Sequence, residues 1–201
     1  ESEGAVFTLE MIQNCERGTY LPPSPDHRYV MGVDFGQVRD FTVAAVINVE
    51  TGHLDHLERF QGSWDVQLDR IATIYKQYGE PLTLADASQV SGSIIEEELR
   101  KRGVANLVGI RINGDVKNRL IESLRVAIER ADLTFPPDRT LRAELLGYSA
   151  KRLPSGHIRY CAPRQGYDDC VDALALAWEA YRRSSADRVL RLRPVILGLP
   201  D

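Results

Sequence analysis

The chain has 201 residues, 43% of them hydrophobic, and a formal net charge of -4. That apolar content supports one good core, hence one domain with small appendages; the charge excludes a globally basic nucleic-acid binder but leaves room for a local basic groove. Cys15, Cys161 and Cys170 show no C-x-x-C spacing, so they read as reduced thiols of a cytosolic protein, not a disulfide framework or a zinc site. No apolar stretch approaches the roughly 18–20 residues of a membrane span, and no signal peptide is visible. The chain opens on Glu1 and is read as a piece of something longer.

Residues 1–27 are loosely patterned: Ala5 to Leu9 has β character, Leu9 to Cys15 suits a helical turn, and Leu21-Pro-Pro-Ser-Pro25 is a stiff linker. The core begins after them. Tyr29 to Val33 is apolar on both faces, as a buried central strand requires, and it ends in Asp34-Phe-Gly36. Phe41 to Val49, the turn Thr51-Gly52 and Leu54 to Phe60 extend it into an antiparallel three-strand meander. Trp64, Leu68, Ile71, Tyr75 and Tyr78 then recur at helical spacing, with Ser63 as N-cap.

Leu82 to Ala85 is a short apolar run that delivers Asp86. Ser93 with Glu96 reads as a capping box for a helix reaching about Arg102, followed by a strand over Val104 to Ile110. This alternation signals an α/β sheet with crossover helices. Asp115 opens a long helix with apolar Val116, Leu120 and Leu124; its other face carries Lys117, Arg119, Arg125 and Arg130. A short helix is expected around Leu141 to Leu146. Tyr148 to Leu153 and His157 to Cys161 flank Pro154-Ser-Gly156 as a β-hairpin rich in cations: Lys151, Arg152, Arg159 and, just beyond, Arg164. The last helix follows Asp168-Asp169 and shows Val171, Leu174, Trp178 and Tyr181 on one face. Residues 184–201 read as a weakly ordered tail.

Any one of these acids has an ordinary explanation. Asp34 could cap its turn, and an acid in a helix's first turn gains about 0.3–1 kcal/mol from the dipole. Asp168, Asp169 and Asp172 together repel one another, and with Asp34 and Asp86 they come from two strand ends and a late helix. Gathered carboxylates of this kind suit magnesium or manganese, with two ions about 3.5–4 Å apart flanking an in-line attack on a phosphodiester.

Gly32-Val-Asp-Phe-Gly36 with Asp40, Leu84-Ala-Asp-Ala-Ser88 with Gly92, Asn113-Gly-Asp-Val-Lys-Asn-Arg-Leu120, Glu144-Leu145 and Tyr167-Asp-Asp-Cys-Val-Asp-Ala-Leu-Ala-Leu-Ala177 resemble the ribonuclease H-like nuclease domain of the large terminase subunit of tailed bacteriophages. Gly4-Ala-Val-Phe7 is similar to the segment that joins motor to nuclease in that family, and the resemblance spans roughly residues 4–182. It implies a mixed central sheet, the meander plus parallel strands, flanked by helices and carrying an extra hairpin. Residues 1–27 would be a linker from an absent ATPase motor, 28–183 the nuclease domain and 184–201 a tail.

The implied activity is a metal-dependent endonuclease that cuts concatemeric viral DNA during packaging, with two Mg2+ or Mn2+ ions. Asp34, Asp86, Asp168 and Asp169 would be the catalytic metal ligands, with Asp40 and Asp172 supporting them from behind. Lys117, Arg119, Lys151, Arg152, Arg159 and Arg164 would contact double-stranded DNA with little regard to sequence. Implied partners of the full-length protein are the motor, the small terminase subunit and the portal, in the cytoplasm of the infected host; the isolated domain would be monomeric. Two departures bear on metal geometry: Tyr167 stands where relatives often have histidine, and Gln89 interrupts a small-residue run.

Three rivals differ in class. An actin-like ATPase needs a second lobe, for which 201 residues leave no room. A junction resolvase or transposase shares the fold but demands particular DNA structures. A degenerate DNA-docking module would survive loss of Asp34.

Overall fold

Apolar runs that alternate with polar turns build a five-stranded mixed sheet in the computed structural model, which describes residues 3–36, 41–88, 92–152, 158–161 and 167–191. In chain order the elements are β1 (Glu3–Ala5), α1 (Leu9–Cys15), β2 (Tyr29–Asp34), β3 (Thr42–Asn48), β4 (Leu54–Phe60) and α2 (Trp64–Gln77). Then come β5 (Leu82–Asp86), α3 (Gly92–Lys101), β6 (Leu107–Ile110) and α4 (Gly114–Glu129). The chain continues through α5 (Arg139–Gly147), β7 (Ser149–Arg152), β8 (Ile158–Cys161) and α6 (Asp169–Arg191). The main sheet runs β4-β3-β2-β5-β6: β2, β3 and β4 form the expected antiparallel meander, and β5 and β6 lie parallel to β2.

Strand alternation divides the core in two. Val30, Val43, Ala45, Ile47 and Leu84 face α6, with α1, α4 and α5 completing that layer. Met31, Val33, Ala44, Val46 and Ala85 face α2 and α3. The α6 side is unusually close. A Cβ on Gly32 would lie 2.2 Å from both the Ala173 carbonyl oxygen and the Ala177 nitrogen, so only glycine lets β2 meet the helix backbone. Ala173, Ala175, Ala177 and Ala180 keep α6 slim where it is buried between the sheet and its neighbours.

Several elements begin elsewhere than expected. α4 is capped by Asn113, whose side chain accepts the Val116 N–H at 2.9 Å, and Asp115 lies inside the helix. α3 starts at Gly92, so Ser93 lies within it and is not its cap, and Ser63 sits at the N-cap position of α2 without a side-chain bond. Residues before 28 are not merely a linker: Phe7, Ile12 and Cys15 are fully buried, and β1 pairs antiparallel with β7 in a small three-stranded sheet with β8. Their apolar residues are too few to show a period, which is why sequence pattern underrates them. α6 continues to Arg191, so the expected tail begins as helix; residues 192–201, the hairpin turn at Pro154-Ser-Gly156 and Gln89 lie outside the described residues.

Candidate active site

The site forms where β2 and β5 end side by side. Val33 pairs with Ala85 and Gly32 with Leu84, so continuing the parallel register sets Asp34 beside Asp86, both on the α6 face. The close contact at Gly32 lays the first turn of α6 over the same strand ends, and Asp168, Asp169 and Asp172 arrive with it. Burial raises the pKa of Asp34 well above the ordinary carboxylate range, and the charges of Asp172, Asp86, Asp169 and Asp168 push it the same way. The aspartates brought from separate parts of the chain therefore act on one another.

The strand ends and the carboxylates of α6 are held by different partners. The Gly36 N–H donates to Thr42 Oγ1 at 3.0 Å, and Thr42 donates to Gln67, which fixes the turn after Asp34. Asp86 Oδ1 accepts the Ser88 N–H at 2.8 Å and also the Ser88 hydroxyl, which in turn receives the Ile112 N–H at 2.7 Å. This ties the end of β5 to the approach of α4. Lys117 Nζ lies 2.8 Å from Asp168 Oδ2 and 2.7 Å from Asp172 Oδ2, while the buried Tyr148 hydroxyl donates to Asp172 Oδ1 at 2.8 Å and Asp168 Oδ2 at 3.3 Å. Asp169 turns to the other side, with Arg59 Nη2 at 3.5 Å from its Oδ2.

The electrostatics are lopsided. Burial raises Asp172 to about 6 even though Lys117 and Tyr148 favour its ionised form. Burial works against the charge of Lys117, yet Asp172 and Asp168 outweigh it and raise its pKa. Glu144, also buried, accepts the Cys170 N–H at 2.8 Å and the Val171 N–H at 3.3 Å through Oε2, so it caps the start of α6. Burial takes its carboxyl to about 6.

Five aspartates thus meet two cations, Lys117 and Arg59. An oxygen-only donor set with excess negative charge fits a hard divalent ion. Among the described residues, however, no three acid, histidine or cysteine side chains stand close enough as placed to hold one. The side chains of Asp168 and Asp172 are drawn to the Lys117 ammonium, which supplies positive charge in the interior of the cluster.

Of the residues singled out from sequence, Asp34, Asp86, Asp168, Asp169 and Asp172 come together. Lys117 sits within the acids, not on an outer basic face. Arg119 lies on α4 beside a groove of about 790 Å³ shared with Arg130 and Arg182. Lys151 and Arg159 are direct partners across β7 and β8. Asp40, Arg164 and the side chain of Arg152 lie outside the described residues. Sequence reasoning passed over Arg59, Tyr148 and Ser88. Ser88 two residues after Asp86 was a legible signal, since it suits a local carboxylate–backbone turn; Arg59 and Tyr148 reach the site only through strand register and tertiary packing.

A mixed five-stranded sheet with carboxylates from adjacent strand ends and a helix laid across them defines a ribonuclease H-like nuclease fold. No protein-family model matches the chain. The chain is 35% identical over 178 residues to the large terminase subunit of Thermus phage G20c, covering 86% of this chain and 36% of that protein; it spans about a third of the length of the curated relatives it matches. The crystal structure of the large terminase nuclease from phage G20c is 31% identical with a TM-score of 0.78, covering 87% of this chain and 97% of that one. The same nuclease with bound magnesium gives a TM-score of 0.79 at 30% identity, covering 87% and 96%. The nuclease domain from Thermus phage P74-26 gives 0.77 at 30% identity, covering 89% and 96%. The chain belongs to the nuclease domains of bacteriophage large terminases.

Proposed function

We propose that the chain is a divalent-metal-dependent endodeoxyribonuclease that cuts concatemeric phage DNA during genome packaging by hydrolysis at a two-ion site. The observation that carries this reading is the convergence of five aspartates from β2, β5 and the start of α6 on one end of the sheet. Support comes also from the G20c nuclease, which has been crystallised with magnesium, cobalt and zinc. Asp34, Asp86, Asp168 and Asp169 are the residues that would hold Mg2+ or Mn2+, and Asp40 and Asp172 would support them. When bound, such ions activate a water and neutralise charge on the phosphate in flight.

The chain's own residues do the rest. Ser88 and the Thr42–Gln67 pair fix the two strand ends, so Asp34 and Asp86 are presented without reorganisation. Tyr148 and Lys117 orient Asp168 and Asp172. Arg119, Lys151, Arg152, Arg159 and Arg164 would grip phosphates and leave the bases unread. In the full-length protein we place an ATPase motor ahead of this domain, with the small terminase subunit and portal as further partners, in the host cytoplasm. We expect the isolated domain to be monomeric. Among the described residues no helix is long and apolar enough to cross a membrane.

Plasmid relaxation and linearisation with Mn2+, with Mg2+ and with chelator test the reading. Cutting is expected only with metal, and more readily with manganese, which tolerates less perfect geometry. Robust cutting in chelator would overturn it, and cutting confined to branched DNA would point to a resolvase.

A further inference from the structure

We propose that Arg59 is a positioning residue of this site: a guanidinium caged by two aromatic rings that sets the orientation of the Asp169 carboxylate. The inference rests on the nuclease reading and deepens it.

The register puts Arg59 there. Asp34 pairs with Val43 and Val43 with Arg59, so the three form one row across the sheet. Directly paired residues of antiparallel strands share a face, and Val43 faces α6. Arg59 therefore leaves the edge strand on the acidic side, two strands or about 10 Å from Asp34. There it meets the first residue of α6. Its Cζ stands 3.5 Å from the Phe41 ring centroid and 4.5 Å from that of Tyr167, and the two rings meet edge-on with centroids 5.6 Å apart.

Phe41 immediately precedes β3 and Tyr167 immediately precedes the Asp168-Asp169 pair. The cage thus joins three segments that converge on the site. A planar guanidinium stacks on such rings while its edge donors stay available; the compact ammonium of lysine does not reproduce this.

The neighbouring aspartates explain why Asp169 needs its own holder. Lys117 and Tyr148 engage Asp168 and Asp172, whereas Asp169, about 100° round from Asp168, meets Arg59. At 3.5 Å the Arg59–Asp169 contact is an ion pair, longer than a tight charge-assisted hydrogen bond. Among the described residues Arg59 Nε and Nη2 are buried without hydrogen-bond partners, so the ion pair with Asp169 is the polar contact that offsets their burial. The pair sets the side to which the carboxylate points.

The test uses Arg59→Met and Arg59→Lys in the whole chain, with Mn2+ binding followed by calorimetry in the absence of DNA and duplex affinity followed by anisotropy in chelator. Removing a partner that orients a metal ligand is expected to weaken Mn2+ binding by about tenfold, with duplex affinity unchanged and little rescue by lysine. In an Asp169→Asn background, Arg59→Met should add no further loss. Mn2+ affinity equal to that of the parent chain would overturn the proposal. So would a fall in duplex affinity with Mn2+ binding intact, which would make Arg59 a phosphate contact. If Arg59→Met does not fold, Arg59→Lys carries the same comparison.

If the parent chain itself binds no Mn2+, the nuclease reading fails. A double-mutant cycle of Arg59→Met and Asp169→Asn on melting temperature then decides whether Arg59 holds Asp169: non-additive effects sustain the pairing and additive ones end it.

Discussion

The two ends of the central sheet both bury carboxylates, and they differ in how many they gather. At the end away from the active site, Asp55 is buried and accepts from Asn48 Nδ2 at 3.2 Å, and Asn48 also meets His27 Nδ1 at 3.1 Å. His53 nearby contacts Thr134 Oγ1 at 2.8 Å and the Thr19 carbonyl at 3.2 Å. One acid sits there in a hydrogen-bonded network, although burial raises its pKa and its Oδ1 has no hydrogen-bond partner among the described residues, and the network pins residues 19–27 and the 132–135 segment to the sheet. At the active end five acids crowd together, and burial with the charges of the other four pushes the pKa of Asp34 well up. The first arrangement ties a single acid into contacts that hold two segments on the sheet. The second gathers like charges at a cost in stability that the proposed metal would offset.

The largest effects should separate these ends. Asp34→Asn removes a buried charge that its neighbours oppose. The metal-free protein should therefore melt higher, while plasmid cutting falls by at least about 10²–10³-fold, the range for loss of a key electrostatic group. Asp169→Ala should abolish cutting, Asp168→Ala should reduce it severely, and Asp172→Asn should leave measurable activity. Asp55→Ala should do the reverse of Asp34→Asn: stability drops by about 1–3 kcal/mol as Asn48 loses its acceptor, and cutting persists. If Asp34→Asn lowers the melting temperature as Asp55→Ala does, the contrast between the ends collapses.

Gly32→Ala comes next, because it attacks the contact that makes the active end. A methyl group 2.2 Å from backbone atoms of Ala173 and Ala177 must push α6 off β2. Overpacking of this kind costs about 1–3 kcal/mol, and the displaced aspartates should weaken Mn2+ binding as well. Urea melts together with calorimetry check both outcomes; a stable variant with intact Mn2+ affinity would mean the close approach is dispensable.

A gentler probe is pH. Burial raises Asp34 well above its ordinary pKa and takes Asp172 and Glu144 to about 6. A carboxyl with a raised folded pKa binds its proton more tightly in the native state. Its stabilising effect is therefore present at low pH and is lost as pH rises from the ordinary carboxylate range through about 6. Divalent ions bind the deprotonated form, so added Mn2+ should raise the melting temperature more at about pH 8 than at about pH 5. Equal shifts at the two values would show that these carboxylates do not bind the ion.

Much of this was legible beforehand. The meander, the parallel strands and the two strand-end aspartates follow from apolar runs that stop at an acid, and the last helix shows its aspartates in sequence. What stayed hidden depends on cross-chain contact. Arg59 belongs to an edge strand whose polar and apolar residues look ordinary, and only pairing with Val43 brings it level with Asp34. Lys117 looked like part of a basic stripe because periodicity fixes a helix face but not what the face packs against. Residues 6–15 looked like linker because four buried side chains, Val6, Phe7, Ile12 and Cys15, are too few to set a pattern.

The smallest expected effect concerns the hairpin, which belongs to neither end of the sheet. Lys151 and Arg159 are direct partners across β7 and β8, so both side chains leave the same face. Tyr148, just before β7, touches Asp168 and Asp172, and Asn118 of α4 donates to the Ile158 carbonyl at 2.7 Å. The strands are therefore anchored beside the acids, where a bound duplex would pass them. Lys151→Glu with Arg159→Glu removes two cations without touching a carboxylate of the site. If each meets one phosphate, the slope of log affinity against log salt should become shallower by about 2, since each contact releases roughly 0.9 counterion. Cutting should fall at moderate salt and recover as salt is lowered, with Mn2+ affinity unchanged. An unaltered salt slope would move the DNA path off the hairpin, and the groove beside Arg119, Arg130 and Arg182 would become the next surface to reverse.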